Sequence, residues 1–199
     1  MSSLGSPAQT RFILIGAAVL LSLGMGIRQS LGLFLTPVTR DLALTTADFT
    51  LAVAIQNIVW GVSQAPVGAM ADRFGLRATM VAGAAIYVAG LGVMATAAGA
   101  PSLLISGGLI GIALSCTASS LALTATARAV SEDRRSKMLG IVSAAGSLGS
   151  LLIPLTTQSL LAHHAWQIGA VFFIALAAMM LPAAFSAGGA DKLRGPGPA

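Results

Sequence analysis

The chain has 199 residues, of which 56% are hydrophobic and 9% are charged, with a net charge of +5 and a mean hydropathy of +0.88. A soluble domain is about 25% charged, so this composition excludes a water-soluble fold and indicates an integral membrane protein. The single cysteine, Cys116, excludes a disulfide framework within one chain.

Six mostly apolar stretches are long enough for membrane helices, which need about 20 residues each. They lie at about 12–35, 49–71, 78–97, 102–127, 138–161 and 166–186. They predict an all-α membrane protein with one six-helix half-domain over 12–186. Its ends, 1–11 and 187–199, are rich in Ser, Gly and Pro and are predicted to be disordered. The first stretch is too long for a signal-peptide core and is predicted to be retained.

Arg28 is the only charged residue inside any of these stretches. A charge near the bilayer centre costs about 2.5–3.5 kcal/mol on insertion scales, so it needs a partner, a hydrated cavity or a ligand. Two interpretations stay open. Arg28 is either a structural cation that pairs with carbonyl groups or reaches outward, or an anion-binding residue that lines a cavity. A guanidinium group is suited to bidentate recognition of a carboxylate.

Gln56 and Asn57, in the second stretch, are predicted to lie at the same depth as Arg28. At 1.5 Å of helix rise per residue, all three lie about 10 Å from the outer ends of their helices. We expect one or both amides to face Arg28, where they would orient a bound carboxylate or simply satisfy the guanidinium. The candidate substrate-binding residues are therefore Arg28, Gln56 and Asn57.

A charged turn follows the second stretch. It carries Gly68, Asp72, Arg73, Gly75 and Arg77. Gly68 permits close helix approach and Gly75 a tight turn, Asp72 can pair with a cation, and the two arginines can anchor at lipid headgroups. By itself the 68–77 motif would be compatible with an ordinary charged loop.

Small and hydroxyl-bearing residues are frequent in the fourth and fifth stretches, which favours close helix packing over substrate contact. The serines at 143–150 lie in mid-helix, whereas His163 and His164 lie at the aqueous edge. This separation argues against an intramembrane serine protease. We therefore predict no enzyme, cofactor or metal site, and no nucleic-acid partner.

The basic residues lie almost entirely on one side of the predicted bundle. That side holds Arg11, Arg73, Arg77, Arg128, Arg134, Arg135, Lys137, Lys192 and Arg194, and the other holds only Arg40. Because Lys and Arg accumulate in cytoplasmic loops, both termini are predicted to be cytoplasmic.

A shift of 88 residues superimposes the first three stretches on the last three, and brings Gly61-x4-Pro66 onto Gly149-x4-Pro154. An odd number of helices per repeat reverses the second copy, so the sequence predicts a 3+3 inverted repeat.

The 68–77 motif closely resembles the loop typical of the major facilitator superfamily, although Leu76 replaces one of its usual basic residues. The first stretch, with Gly26, Arg28, Ser30, Gly32 and Pro37, resembles a bacterial branch of monocarboxylate and oxalate–formate carriers. The similarity covers about 12–186, which is the N-terminal half of a twelve-helix transporter.

This resemblance implies a secondary transporter in the bacterial inner membrane that moves a small organic anion by alternating access, with the 68–77 motif as a gating loop. Besides the lipid bilayer and the anion, it implies a partner, a second six-helix half that is either another copy of the chain or a separate polypeptide. The alternative is a truncated, transport-inactive bundle with a structural or partner-binding role.

Overall fold

The structure, a computed structural model, describes residues 6–117 and 119–193, without the side chain of Ser119. Within these ranges the backbone forms helices and turns and no strand, which confirms the all-helical class. The six long helices are α1 (Pro7–Asp41), α2 (Thr46–Phe74), α3 (Leu76–Ala95), α4 (Ala100–Thr117 and Ser119–Ala129), α5 (Glu132–His163) and α6 (Trp166–Ala187), and a 3₁₀ turn at Gly188–Leu193 follows α6.

Five of these segments in the described part of the chain, α1 and α3 to α6, are long and apolar enough to cross a membrane. The remaining helix, α2, has 29 residues and is therefore long enough, but its middle carries Gln56, Asn57 and Gln64. Those amides lower its hydropathy. The predicted span at 49–71 thus falls on the one long helix of the described ranges that lacks a sufficiently apolar stretch.

Five of the six helices are longer than the apolar stretches that predicted them, because backbone hydrogen bonding continues into the flanking residues; α3 keeps the predicted length but is shifted to Leu76–Ala95 from 78–97. The first runs over Pro7–Asp41 instead of 12–35, and begins where the Ser6 hydroxyl accepts a hydrogen bond from the Gln9 amide at 3.3 Å. Pro37 does not end it. After a 3₁₀ turn at Leu31–Phe34, Pro37 lies in the first turn of Leu35–Asp41, where a missing amide hydrogen costs little.

The predicted disordered ends differ from the structure where it describes them. Helix α1 already begins at Pro7, and the 3₁₀ turn Gly188–Leu193 packs against the bundle with Gly188 buried. A Cβ atom at Gly188 would collide with the backbone of Arg77, so glycine is what permits this close approach. Residues 1–5 and 194–199, including the predicted basic residue Arg194, lie outside the described residues.

Helix packing has a regular pattern. The most extensive contacts are α1 with α5, α2 with α4, α3 with α4, α3 with α6, and α1 with α6. If α1 is exchanged with α4, α2 with α5 and α3 with α6, the same set of five pairs results. The α1–α5 and α2–α4 interfaces are among those close enough to require glycine, since a Cβ at Gly149 would collide with Ser22 and one at Gly107 with the carbonyl oxygen of Ala52.

A polar anchor joins the end of α1 to the start of α6. The Asp41 carboxylate accepts hydrogen bonds from the Trp166 indole at 2.7 Å and from the Gln167 side-chain amide at 3.1 Å. This anchor and the glycine interfaces fix the position of α1, the helix that carries Arg28.

Candidate functional site

Arg28 lies in α1 with its guanidinium directed toward α2. Its Nη2 atom donates a hydrogen bond to Asn57 Oδ1 at 2.9 Å, and its Cζ atom lies 4.7 Å from the centre of the Trp60 ring. Asn57 is itself oriented, because its Nδ2 atom donates to the Val53 carbonyl oxygen at 2.8 Å and leaves Oδ1 to face Arg28. The three side chains form one cluster, which we call the Arg28 cluster.

No carboxylate neutralises this cation. The six acidic residues of the chain all lie within the described ranges and at helix ends or turns; they are Asp41, Asp48, Asp72, Glu132, Asp133 and Asp191. None of them forms an ion pair with Arg28. The Nε atom of Arg28 is buried without a hydrogen-bond partner. The cluster therefore holds a net positive charge, with Arg28 half-buried and Asn57 exposed.

The neighbours of Arg28 are strong enough for the bundle to tolerate it. A hydrogen bond to a charged group contributes about 1.5–3 kcal/mol, and a cation–π contact about 0.5–2 kcal/mol. Together these are comparable with the insertion cost of about 2.5–3.5 kcal/mol. Both partners are dipolar or quadrupolar, however, so they stabilise the charge without cancelling it. The positive charge of the guanidinium is therefore stabilised but not compensated by these two neighbours.

Gln56 lies elsewhere. Adjacent helical residues point about 100° apart, and while Asn57 faces Arg28, Gln56 is 3% exposed and faces α4. It lines a small cavity of about 30 Å³ together with Phe49, Ala52 and Ser106. The structure thus brings Asn57, and not Gln56, to the predicted site.

Trp60 completes the cluster and was missed by the sequence analysis. It lies three residues after Asn57, and residues at that spacing share one face of a helix. That spacing is the signal for Trp60 in the sequence, whereas polarity alone does not indicate an aromatic partner for a cation.

The 68–77 motif is a tight joint rather than a long loop. Helix α2 ends at Phe74 and α3 begins at Leu76, so Gly75 alone connects them. Asp72, in the last turn of α2, pairs with Arg128 of α4 at 3.4 Å. Arg73 lies over the Phe74 ring at 5.2 Å. A Cβ at Gly68 would meet no described atom within 4 Å, so there is open space beside this half-buried residue.

Gly75 has φ 92° and ψ 156°, a conformation that is accessible essentially to glycine alone. Beyond it, the carboxylate of Asp191 accepts hydrogen bonds from the backbone amides of Leu76 at 2.8 Å and Arg77 at 2.9 Å. These amides open α3 and have no partner inside the helix. Asp191 therefore caps α3 from the far end of the chain.

Burial accounts for the departure of the 68–77 motif at Leu76. The Leu76 side chain is buried, with 1% exposure, so the position is part of the packed core rather than a charged surface. Arg77 lies over the Phe185 ring of α6 at 4.3 Å. The joint between α2 and α3 is thus held to α6 through Arg77 and to the 3₁₀ turn Gly188–Leu193 through Asp191, whose carboxylate accepts the hydrogen bonds.

Comparison with known proteins gives the family. A family model described as Major Facilitator Superfamily matches residues 12–195. The chain belongs to this superfamily. It is accordingly a multi-pass membrane protein of a secondary-transporter family, and such proteins are generally not enzymes. A search of curated proteins finds no match. For this major facilitator protein, the match spans both the Arg28 cluster and the joint at Gly75.

Proposed function

We propose that this major facilitator protein carries a small organic anion, most simply a carboxylate, and that Arg28 binds it. The observation that supports this most directly is the uncompensated charge of the Arg28 cluster. A cation that is retained among membrane helices, held by a neutral amide and an indole ring, is suited to bind and release an anion. A permanent carboxylate partner would compete with that anion.

The cluster also suggests how the anion is oriented. One Nη2 hydrogen is taken by Asn57, and the Nε edge is buried. We assign the end of the guanidinium that carries Nη1 and the second Nη2 hydrogen to a two-oxygen acceptor, in the parallel geometry that arginine prefers for carboxylates. This chemistry agrees with the monocarboxylate and oxalate–formate branch that the first helix resembles. Gln56 retains a predicted role in substrate orientation only if the helices rearrange.

Transport by alternating access requires a second six-helix half, and we propose that one packs against this bundle. Uncovered faces of α2 and α5 support such a partner. Only 22% of the apolar 18-residue stretch of α5 is buried in the described bundle. A Cβ at Gly61 of α2 or Gly140 of α5 would meet no described atom within 4 Å. We further propose the 3+3 inverted repeat, which agrees with the exchange pattern of the helix contacts, and a bacterial inner-membrane location with both termini cytoplasmic.

In this mechanism the joint at Gly75 serves as a latch on the basic side of the bundle. Asp72 and Arg73 lie in the last turn of α2, next to the surface at Gly68 where a second half would pack. Separation of the halves would expose this end and their approach would cover it. The latch is therefore placed where it can respond to the opening of the transporter.

The test is anion flux into vesicles that contain the purified protein, as wild type, Arg28→Gln and Arg28→Lys. We expect Gln to abolish saturable uptake, and Lys to retain the charge but raise KM, because an ammonium lacks the two-donor edge. Arg40→Gln is the matched control. It removes a cation at the C-terminal end of α1, away from the Arg28 cluster, and keeps wild-type uptake. Equal KM in all four proteins would defeat the binding role. A strictly monomeric, flux-inactive wild type would favour the structural bundle instead.

A further inference from the structure

A second cationic site lies far from the Arg28 cluster, at the basic end of the bundle. A groove of about 390 Å³ opens between the start of α1, the end of α4 and the start of α5. We call it the basic groove. Its lining includes Thr10, Arg11, Leu14, Ser131, Arg134 and Met138. The volume is within the range of small-molecule sites.

The walls of the basic groove are well defined. The Thr10 hydroxyl donates to the carbonyl oxygen of Ala129 at 3.4 Å, which ties α1 to the end of α4. Ala129 and Val130 close the back of the groove between these helices. Ordered backbone thus separates the two cations and sets the space between them.

The two arginines of the basic groove have little negative charge to pair with. Arg11 forms no ion pair within the described residues, and Arg134 approaches Asp133 at 3.9 Å. Both side chains of that pair are about three-quarters exposed, at 77% and 75%, and exposed pairs of this kind contribute little. The other acid in this turn, Glu132, is exposed and does not line the groove. An anion that entered would meet two available guanidinium groups.

The basic groove is polar at one end and apolar at the other. Arg11 and Arg134 lie near the ends of their helices, whereas Leu14 and Met138 lie three or four residues further along, one helical turn toward the hydrocarbon. A ligand that fits this gradient has a charged head and an apolar chain. Basic pockets between membrane helices favour anionic lipid headgroups for the same reason.

We infer that the basic groove binds the phosphate of an anionic phospholipid, with Arg11 and Arg134 on the phosphate and the acyl chain along Leu14 and Met138. The shared chemistry is a phosphate oxyanion, which free phosphate also offers. The apolar wall favours the lipid, because free phosphate leaves Leu14 and Met138 unused. This site is independent of substrate transport at Arg28.

The experiment measures lipid retention by native mass spectrometry of the detergent-purified protein, titrated with phosphatidylglycerol, phosphatidylcholine or inorganic phosphate. We expect retention of phosphatidylglycerol, weaker retention of phosphatidylcholine, and no displacement by inorganic phosphate. Arg11→Gln with Arg134→Gln should weaken phosphatidylglycerol binding roughly thirty-fold, because each cation near a membrane surface contributes about fivefold.

Two controls separate the groove from general surface charge and from misfolding. Arg135→Gln removes the neighbouring cation, which does not line the groove, and should leave binding within about twofold of wild type. Arg11→Lys with Arg134→Lys keeps both charges and should retain most of the binding. Equal loss in Arg135→Gln, equal retention of both lipids, or full displacement by inorganic phosphate would each overturn the inference.

Discussion

The cap on α3 gives the sharpest structural prediction. In Asp191→Ala the amides of Leu76 and Arg77 lose the carboxylate that accepts them at 2.8 and 2.9 Å. A hydrogen bond to a charged acceptor contributes about 1.5–3 kcal/mol. Since Asp191 is only half-buried and water can replace it, we take about 2 kcal/mol for the pair, which is within the range measured for helix caps.

Hydrogen exchange at the first turn of α3 measures this energy directly. A loss of about 2 kcal/mol in local stability corresponds to roughly thirty-fold faster exchange of the two amides. Lys192→Ala, one residue further along an exposed part of the same turn, is the control and should leave exchange unchanged. If Asp191→Ala exchanges at the wild-type rate in this segment, the cap does not hold α3 and the proposed fastening of the joint to the tail is wrong.

Two further predictions concern the site and the packing around it. Asn57→Asp replaces the amide that Arg28 contacts at 2.9 Å with a carboxylate. The internal ion pair should compete with the transported anion and raise the KM for that anion by about tenfold or more. An unchanged KM would show that the anion does not bind at this site. Gly149→Ala should lower the free energy of unfolding by about 1–3 kcal/mol, because its Cβ would collide with Ser22. Gly140→Ala, in open space on the same helix, should be close to neutral in the same denaturation assay.

The helices and the Arg28–Asn57 contact can be predicted from the sequence, because each follows from the position of residues within an apolar stretch. Apolar length predicts each long helix, and equal depth on neighbouring helices predicts that an amide can meet Arg28. Most helix ends are predicted too far inward, since hydropathy detects the hydrocarbon layer while hydrogen bonding carries the helix beyond it; the end of α3, at Ala95 instead of 97, is an exception. Which of two adjacent amides faces Arg28 depends on the rotation of α2, and rotation is set by packing against α4.

Contacts between residues far apart in the sequence cannot be predicted from these patterns. Asp191 lies 115 residues from Leu76, in a glycine-rich segment whose composition indicates disorder. Only the approach of Gly188 to Arg77 brings the carboxylate to α3, and no local pattern encodes that approach. The basic groove is similar, because Arg11 and Arg134 become neighbours only when α1, α4 and α5 pack together.

The central claim is that the charge of Arg28 is held for an anionic ligand. The most direct measurement is the melting temperature of the purified protein across a panel of small carboxylates, compared between wild type and Arg28→Gln. A ligand at one hundred times its Kd stabilises the folded state by about 2.7 kcal/mol, which is enough to shift the melting temperature measurably. We predict a saturable rise for at least one carboxylate in the wild type and none in Arg28→Gln. The same rise in both proteins would contradict the account.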